Sequence, residues 1–454
     1  MISMEVTVAL QEAFETMHEV VPAELDRFRR HIDPAWVEEA LVATGTATVR
    51  RRRLPAEEVL WLVIGMALMR NESLERVVEW LDLALPDGRG QPVAKSAITQ
   101  ARRRLGEDPV AYLFVITAAA WAIGSAARRP WRGLSLFGLD GTTLRVPDSA
   151  DNWEAFGGQC GNGQRNGSAY PTVRLVGLMA LRSHLLVALI FDAYRVGETT
   201  LAHDLWQELP DDSLLVVDRG FLVAHLLTAV ERSGRNRHWL TRAKTTTRVR
   251  RIKRLAANDE LVEIQLSSET RRRHPDLPEV WVARAIRYQR RGYRPATLLT
   301  SLVDPATYPT KEIVALYHER WELELGYDEI KTHMLDREEA IRSRTPAGVR
   351  QEIWGVALAY NLVRVEMERV ADEAGVEPTR ISFVNALSLI RYVWLISSTP
   401  PLAPGKIPSR LYDLRRKLKL LLLPERRSKR SYPRAVKIKM SNYNRKPPTG
   451  RGRK

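Results

Sequence analysis

Leu134-Ser-Leu-Phe-Gly-Leu-Asp140 is a short apolar run bounded by Gly133 and Gly141 that reaches an acid. Three similar runs follow: Thr172-Val-Arg-Leu-Val-Gly-Leu-Met-Ala-Leu181, His184-Leu-Leu-Val-Ala-Leu-Ile-Phe-Asp192 and Ser213-Leu-Leu-Val-Val-Asp218. Runs this short, ended by turn residues, read as buried strands rather than helices. Thr199–Leu209, before the fourth run, reads as a helix. Three adjacent strands, a helix and another strand predict an α/β fold, a mixed sheet flanked by helices.

Outward from this core the texture changes. Residues 1–120 are helical in pattern, as in Val59-Leu-Trp-Leu-Val-Ile-Gly-Met-Ala-Leu-Met69 and Ser73-Leu-Glu-Arg-Val-Val-Glu-Trp-Leu81. Lys95–Leu105 begins with Ser96, suited to an N-cap, and ends in Arg102, Arg103 and Arg104. Such a helix either enters a DNA groove or packs with its arginines in solvent. A second basic run, Arg50–Arg53, precedes Pro55. Residues 235–305 carry alternating, Arg-rich segments such as Val280-Trp-Val-Ala-Arg-Ala-Ile-Arg-Tyr288 and read as a β-rich insertion. Helices are expected again at Lys311–Met334, Val349–Val370 and Ser382–Ser397. The expected division is an all-helical N-terminal DNA-binding domain (1–125), a first core segment (130–234), the basic insertion (235–305), a second core segment with C-terminal helices (306–400) and a basic tail (401–454), disordered without a partner from about Ser428.

The chain has 454 residues and a net charge of +16. Residues 405–454 hold 18 Lys+Arg against Asp413 and Glu425, so the tail alone accounts for the excess. Within the balanced remainder, residues 235–294 hold 17 Lys+Arg and 6 Asp+Glu. Localised basic blocks of this kind fit a polyanionic partner, foremost nucleic acid. A single cysteine, Cys160, excludes an intramolecular disulfide and a Cys-rich zinc site. The N-terminal residues lack a signal-peptide pattern, and no stretch was expected to reach the uncharged apolar length of a membrane span. These features predict a cytoplasmic, nucleoid-associated protein with no membrane partner.

Asp140 and Asp218 each close an apolar run, the first before Gly141-Thr142 and the second before Arg219-Gly220. An acid at a strand end is rigidly held and open to ligands, although Asp also serves there as a turn residue. A third acid lies in Tyr317-His-Glu-Arg320-Trp-Glu-Leu-Glu324-Leu-Gly-Tyr-Asp-Glu-Ile-Lys331. On a regular helix Tyr317, Arg320, Glu324 and Lys331 project within an arc of roughly 60°. Glu319, Glu322 and Glu329 fall on the opposite side, leaving Asp328 as the alternative to Glu324. Three carboxylates from separate elements can hold two Mg²⁺ or Mn²⁺ ions, hard cations that prefer oxygen ligands. A pair of ions about 3.5–4 Å apart serves in-line phosphoryl transfer, with Arg320 and Lys331 placed to hold phosphates. No His/Cys cluster, G-x-S-x-G elbow or GK[ST] loop competes with this reading.

At these residues the chain resembles the DDE transposases of bacterial insertion sequences, in particular the insertion-element-four group. That group has a Y-x₂-R-x₃-E-x₆-K signature, which Tyr317, Arg320, Glu324 and Lys331 match at every spacing. Leu139-Asp140-Gly141-Thr142 and Asp218-Arg219-Gly220-Phe221 are similar to its first and second acid motifs. The likeness continues through Ser96-Ala-Ile-Thr-Gln-Ala-Arg102, Arg342-Ser-Arg-Thr-Pro346, Trp354-Gly355 and Ala359-Tyr-Asn-Leu362, and spans roughly residues 20–400.

The resemblance implies an RNase H-like core with a β-rich insertion between the second Asp and the Glu, 106 positions apart here. It implies a transposase that binds transposon-end DNA, cuts both strands through a hairpin intermediate and joins the 3′-hydroxyls to target DNA, acting as a homodimer. Asp140, Asp218 and Glu324 become the catalytic and metal-binding acids, with Tyr317, Arg320, Lys331 and Arg219 on DNA. In relatives a flipped base stacks on a tryptophan of the insertion, for which Trp281 and Trp239 are the candidates, each also readable as a core residue. Asp148 and Asn152 either line the site or are ordinary turn residues. Two alternatives share these features: a two-metal DNA nuclease that does not join, and a non-catalytic, transposase-derived regulator.

Overall fold

The structure is a computed structural model and describes residues 32–47, 54–81, 83, 93–158, 170–290, 294–336, 341–396, 419 and 422–423. Arg50–Arg53, Cys160 and nearly all of the 401–454 tail lie outside the described residues.

The apolar runs become strands β1 (Ser135–Arg145), β2 (Thr172–Ala180), β3 (Leu186–Ala193) and β4 (Ser213–Val217). β1, β2 and β3 pair antiparallel as a meander, and β4 lies parallel to β1 on its other side. Every residue of β4 is buried, which is why it reads as an unbroken apolar run rather than an alternating one. The fifth strand, β5 (Arg237–Arg242), joins parallel to β4. The order β3-β2-β1-β4-β5, antiparallel on one side and parallel on the other, is the RNase H-like arrangement.

The basic segment that follows extends this sheet instead of forming a separate one. Strands β6 (Val249–Ala256), β7 (Asp259–Ile264), β8 (Trp281–Tyr288) and β9 (Ala296–Thr300) pair antiparallel in the order β9-β8-β7-β6. β9 then pairs with β5, giving nine strands in one sheet. Arg237–Arg242, placed by sequence in the insertion, is therefore a core strand. β6 is exposed along almost its whole length and forms the free edge, where Arg and Lys discourage edge-to-edge pairing.

Helices cover the sheet. Pro346–Ala374 runs 29 residues, longer than the apolar window Val349–Val370. Its ends explain the difference: Thr345 caps the Gly348 N–H, Pro346 opens the first turn, and Gly375 closes the helix at φ 65°. The N-terminal helices pack against it in one continuous apolar cluster. Polar anchors reinforce this contact: Arg70 pairs with buried Glu352 at 2.7 Å, and Arg342 donates to the Met66 and Glu72 carbonyls. Asn361 bonds both backbone groups of Leu186, tying the same helix to β3.

Three local expectations change. Asp108–Arg128 is a helix long and apolar enough to cross a membrane, contrary to the sequence reading. It packs on Pro346–Ala374, on Pro34–Ala43 and on β3, as a core helix does. The Lys95–Leu105 helix is preceded by Ala94 at the N-cap, with no side-chain cap, so Ser96 lies inside the first turn. Arg102 of that helix donates to Gln351 at 2.9 Å and to Ser343 at 3.2 Å, which makes it a packing residue. The expected Thr199–Leu209 helix is one α-turn, Glu198–Leu201, followed by a 3₁₀ segment, Ala202–Glu208.

Candidate active site

Sheet register places the two aspartates. β1 and β4 run parallel with Leu139 opposite Val217 as their last pair, so Asp140 and Asp218 come next, side by side. There β4 stops, and a short 3₁₀ turn, Arg219–Phe221, begins with the Asp218 carboxylate accepting the Gly220 N–H at 3.4 Å. β1 does not stop: it continues to Arg145, paired with β2 alone. Asp140 is thus in mid-strand rather than at a strand end, and the sheet opens beside it because β4, not β1, has ended.

Glu324 faces this notch from the segment expected to be one helix, Lys311–Met334. That segment is broken: α-helix over Thr310–Tyr317, 3₁₀ over His318–Arg320, α-helix over Trp321–Asp328 and π-helix over Glu329–Met334. The uniform rotation behind the four-residue arc therefore fails at two points. Tyr317, Arg320 and Glu324 still line one cavity of about 670 Å³ with Asp140, Asp218 and Arg219. Lys331, beyond the start of the π-turn, does not line it. Its ammonium donates to Thr142 Oγ1 at 3.2 Å, two residues along the Asp140 face of β1.

The acids on the back of the segment are occupied elsewhere. Glu319 accepts from Arg182 at 3.1 Å. Glu329 accepts from Tyr360 and pairs with Arg364, whose guanidinium also donates to His184 Nδ1. His184 Nε2 meets Glu322 at 2.9 Å. Asp328 accepts from Thr332 and stands outside the cavity. Only Glu324 among these acids points into it.

Electrostatics in the notch are unfavourable to bare carboxylates. Burial, with smaller pushes from the Asp218 and Glu198 charges, raises the Asp140 carboxyl to about 6 against the Gly141 N–H and Arg320, which lower it. Arg320 is the local counter-charge: it donates to Glu324 Oε1 at 3.0 Å and stands 3.9 Å from Asp140 Oδ2. Burial pushes the Tyr317 hydroxyl up to about 12, so it enters any contact as a neutral phenol.

The family description "Insertion element 4 transposase N-terminal" matches residues 22–115, and "Transposase DDE domain" matches residues 131–362. The transposase InsG for insertion sequence element IS4 of Escherichia coli (strain K12) is 38% identical over 415 residues, 91% of this chain and 92% of that protein. The chain belongs to the IS4 family of DDE transposases. A second relative from the same organism, the putative transposase InsZ, is 38% identical over 220 residues, covering 48% of this chain and 72% of that one. A cryo-EM structure of the piggyBac transposase synaptic complex with hairpin DNA superposes with a TM-score of 0.42 at 11% identity, over 90% of this chain and 86% of that one.

As an IS4-family transposase the chain is an enzyme of DNA cleavage and strand transfer, and DDE domains work with divalent metal ions. The donor set fits such ions, since Asp140 and Asp218 offer adjacent carboxylates whose mutual repulsion a cation would relieve. Among the described residues the acids are not drawn into a single coordination sphere; Glu324 is held by Arg320 instead.

The candidate tryptophans of the insertion lie away from the cavity. Trp281 is 4% exposed and its ring packs 5.5 Å from that of fully buried Trp239. Both are core residues because they alternate inward on β8 and β5. The tryptophan that lines the cavity is Trp321, 40% exposed with the Arg320 guanidinium 5.3 Å from its ring. It sits inside the signature segment, where its position between Arg320 and Glu324 was the available clue. Asn152, on the Ala150–Phe156 helix, is buried and bonds the Pro147 and Ser343 carbonyls, and Asp148 accepts from Trp153, so neither lines the cavity. Sequence reasoning also missed Arg242, Tyr288, Arg290 and Arg294, which bring β5, β8 and the segment before β9 to the cavity wall. Their basic block was visible; which members face the acids depends on the β5–β9 pairing.

Proposed function

We propose that Asp140, Asp218 and Glu324 hold two Mg²⁺ or Mn²⁺ ions and carry both cleavage of transposon-end DNA and its joining to target DNA. The observation that supports this most is the Leu139–Val217 register, which sets two acids side by side at the mouth of a cavity whose wall is cationic. Bound there, the ions would activate an attacking oxygen and stabilise the leaving one. Arg219, Arg242 and Arg290 line the same cavity and suit the backbone phosphates flanking the scissile bond. Arg320 has two roles: counter-ion to Glu324 and Asp140 before the cations arrive, and phosphate ligand once they replace it. Lys331, bonded to Thr142, holds DNA further along β1. Tyr317 gives a neutral hydrogen bond to phosphate.

Cleavage through a hairpin needs a surface for an extruded base. The exposed Trp321 ring at the cavity meets that need, and buried Trp281 does not. Two chains, one for each transposon end, form the working assembly, and the enzyme acts where bacterial DNA lies, in the cytoplasm. These last points rest on family membership.

Purified chain, incubated with Mg²⁺ and duplexes bearing the ends of its own element, tests the reading on denaturing gels. Uncut ends should yield hairpin-capped products, and pre-cut ends with free 3′-hydroxyls should join to plasmid DNA. Cleavage without any joining would assign a nuclease instead. Neither activity, with specific end binding retained, would assign a regulator.

A further inference from the structure

Asp140 and Gly177 stand opposite each other on antiparallel β1 and β2. A side chain from a third element bonds to both of them. The Tyr327 hydroxyl donates to the Asp140 carbonyl at 2.6 Å and accepts from the Gly177 N–H at 3.0 Å. Tyr327 lies on the Trp321–Asp328 helix, one turn beyond Glu324, and is 8% exposed. The fit is close: a Cβ at position 177 would lie 2.8 Å from the phenol oxygen. Phenylalanine would supply the same apolar packing, so the two backbone hydrogen bonds are what the hydroxyl adds.

We propose that Tyr327 is a positioning residue for the cleavage and joining reaction: its hydroxyl fixes the main chain of Asp140 against the helix that carries Glu324. This rests on the reading of those two acids as metal ligands. Arg320 also connects them, but through their carboxylates, which a cation would claim. Tyr327 uses the Asp140 carbonyl and leaves the carboxylate free. Burial raises the hydroxyl pKa well above the usual phenol range, with the Asp140 charge adding to it, so the donor keeps its proton. Removing the hydroxyl unties the Asp140 main chain from the helix that carries Glu324, which lets the two acids shift relative to each other.

The test is Mn²⁺ binding by the full-length chain, read from the EPR signal of free Mn²⁺, with thermal unfolding of each variant alongside. Tyr327→Phe should unfold cooperatively yet bind Mn²⁺ about tenfold more weakly, the scale expected when a ligand loses its supporting hydrogen bond. Gly177→Ala, which pushes on the hydroxyl from the β2 side, should weaken Mn²⁺ binding in the same direction. Asp140→Asn should remove it. If Asp140→Asn loses Mn²⁺ while Tyr327→Phe and Gly177→Ala bind like the wild type, the positioning role is overturned and the metal reading stands. Mn²⁺ binding unchanged by Asp140→Asn would overturn both.

Discussion

Arg320 occupies the space between Glu324 and Asp140, so without a cation one guanidinium compensates acids that burial has already made costly. Asp140 shows the cost most clearly. Its carboxyl, raised to about 6, keeps its proton in the folded chain between roughly pH 4 and 6, where the unfolded chain has released it. Folding stability therefore declines as pH rises through that window and stays lower above it. Asp140→Asn should then stabilise the metal-free protein at pH 8 by on the order of 1–3 kcal/mol and change little at pH 4. Urea unfolding in EDTA measures this, and a loss of stability at pH 8 would contradict it. Catalysis runs the other way, since cation binding needs the ionised acid. Cleavage by the wild type should fall as pH drops through about 6, and Asp140→Asn, Asp218→Asn or Glu324→Gln should each lower it by at least about a hundredfold while end binding in a gel-shift assay persists.

The elements show where sequence reading succeeds and where it stops. β4 was legible because a strand buried on both faces is a pure apolar run. Helical rotation likewise puts Glu319, Glu322 and Glu329 on the back of their segment, where the structure pairs them with Arg182, His184 and Arg364. The breaks at His318–Arg320 and Glu329–Met334 were not legible. They are set by tertiary contacts, the Glu329 network and the Lys331–Thr142 bond among them, which no periodicity encodes. The same holds for the sheet's extension through β5 and β9, decided by long-range pairing. One buried contact anchors that extension to the catalytic segment. Arg284 on β8 and Asp259 on β7, both 0% exposed, pair at 2.6 Å and both bond Thr310, the first residue of the Thr310–Tyr317 helix. Arg284→Met leaves a buried carboxylate unpaired and should cost about 3–5 kcal/mol in urea unfolding. Adding Asp259→Leu should recover most of that loss. A double variant no more stable than the single one would show that the charges were not the source.

Across the whole molecule the charge is divided between a sheet extension that faces the acids and a tail that carries the entire net excess. The tail's role is legible only as electrostatics. Removing residues 428–454 should weaken DNA binding at low salt and matter little at high salt, because counterion release supplies the affinity. Equal loss in both conditions would mean a specific contact. The mixed sheet and the helical N-terminal part were readable because strand runs and helical periodicity are local properties, and the motif spacing carried the resemblance that implied the RNase H-like fold. Which aromatics and which arginines line the cavity was not readable, because it is assembled from β1, β4, β5, β8 and the broken helical segment together. The central claim is that the three acids act as metal ligands, and exchanging each for cysteine tests it directly, because a thiolate is a poor ligand for Mg²⁺ and a better one for softer Mn²⁺. Asp140→Cys, Asp218→Cys and Glu324→Cys should fail to cleave transposon-end DNA in Mg²⁺ and regain cleavage in Mn²⁺. Variants that cleave normally in Mg²⁺ would contradict metal ligation by these residues.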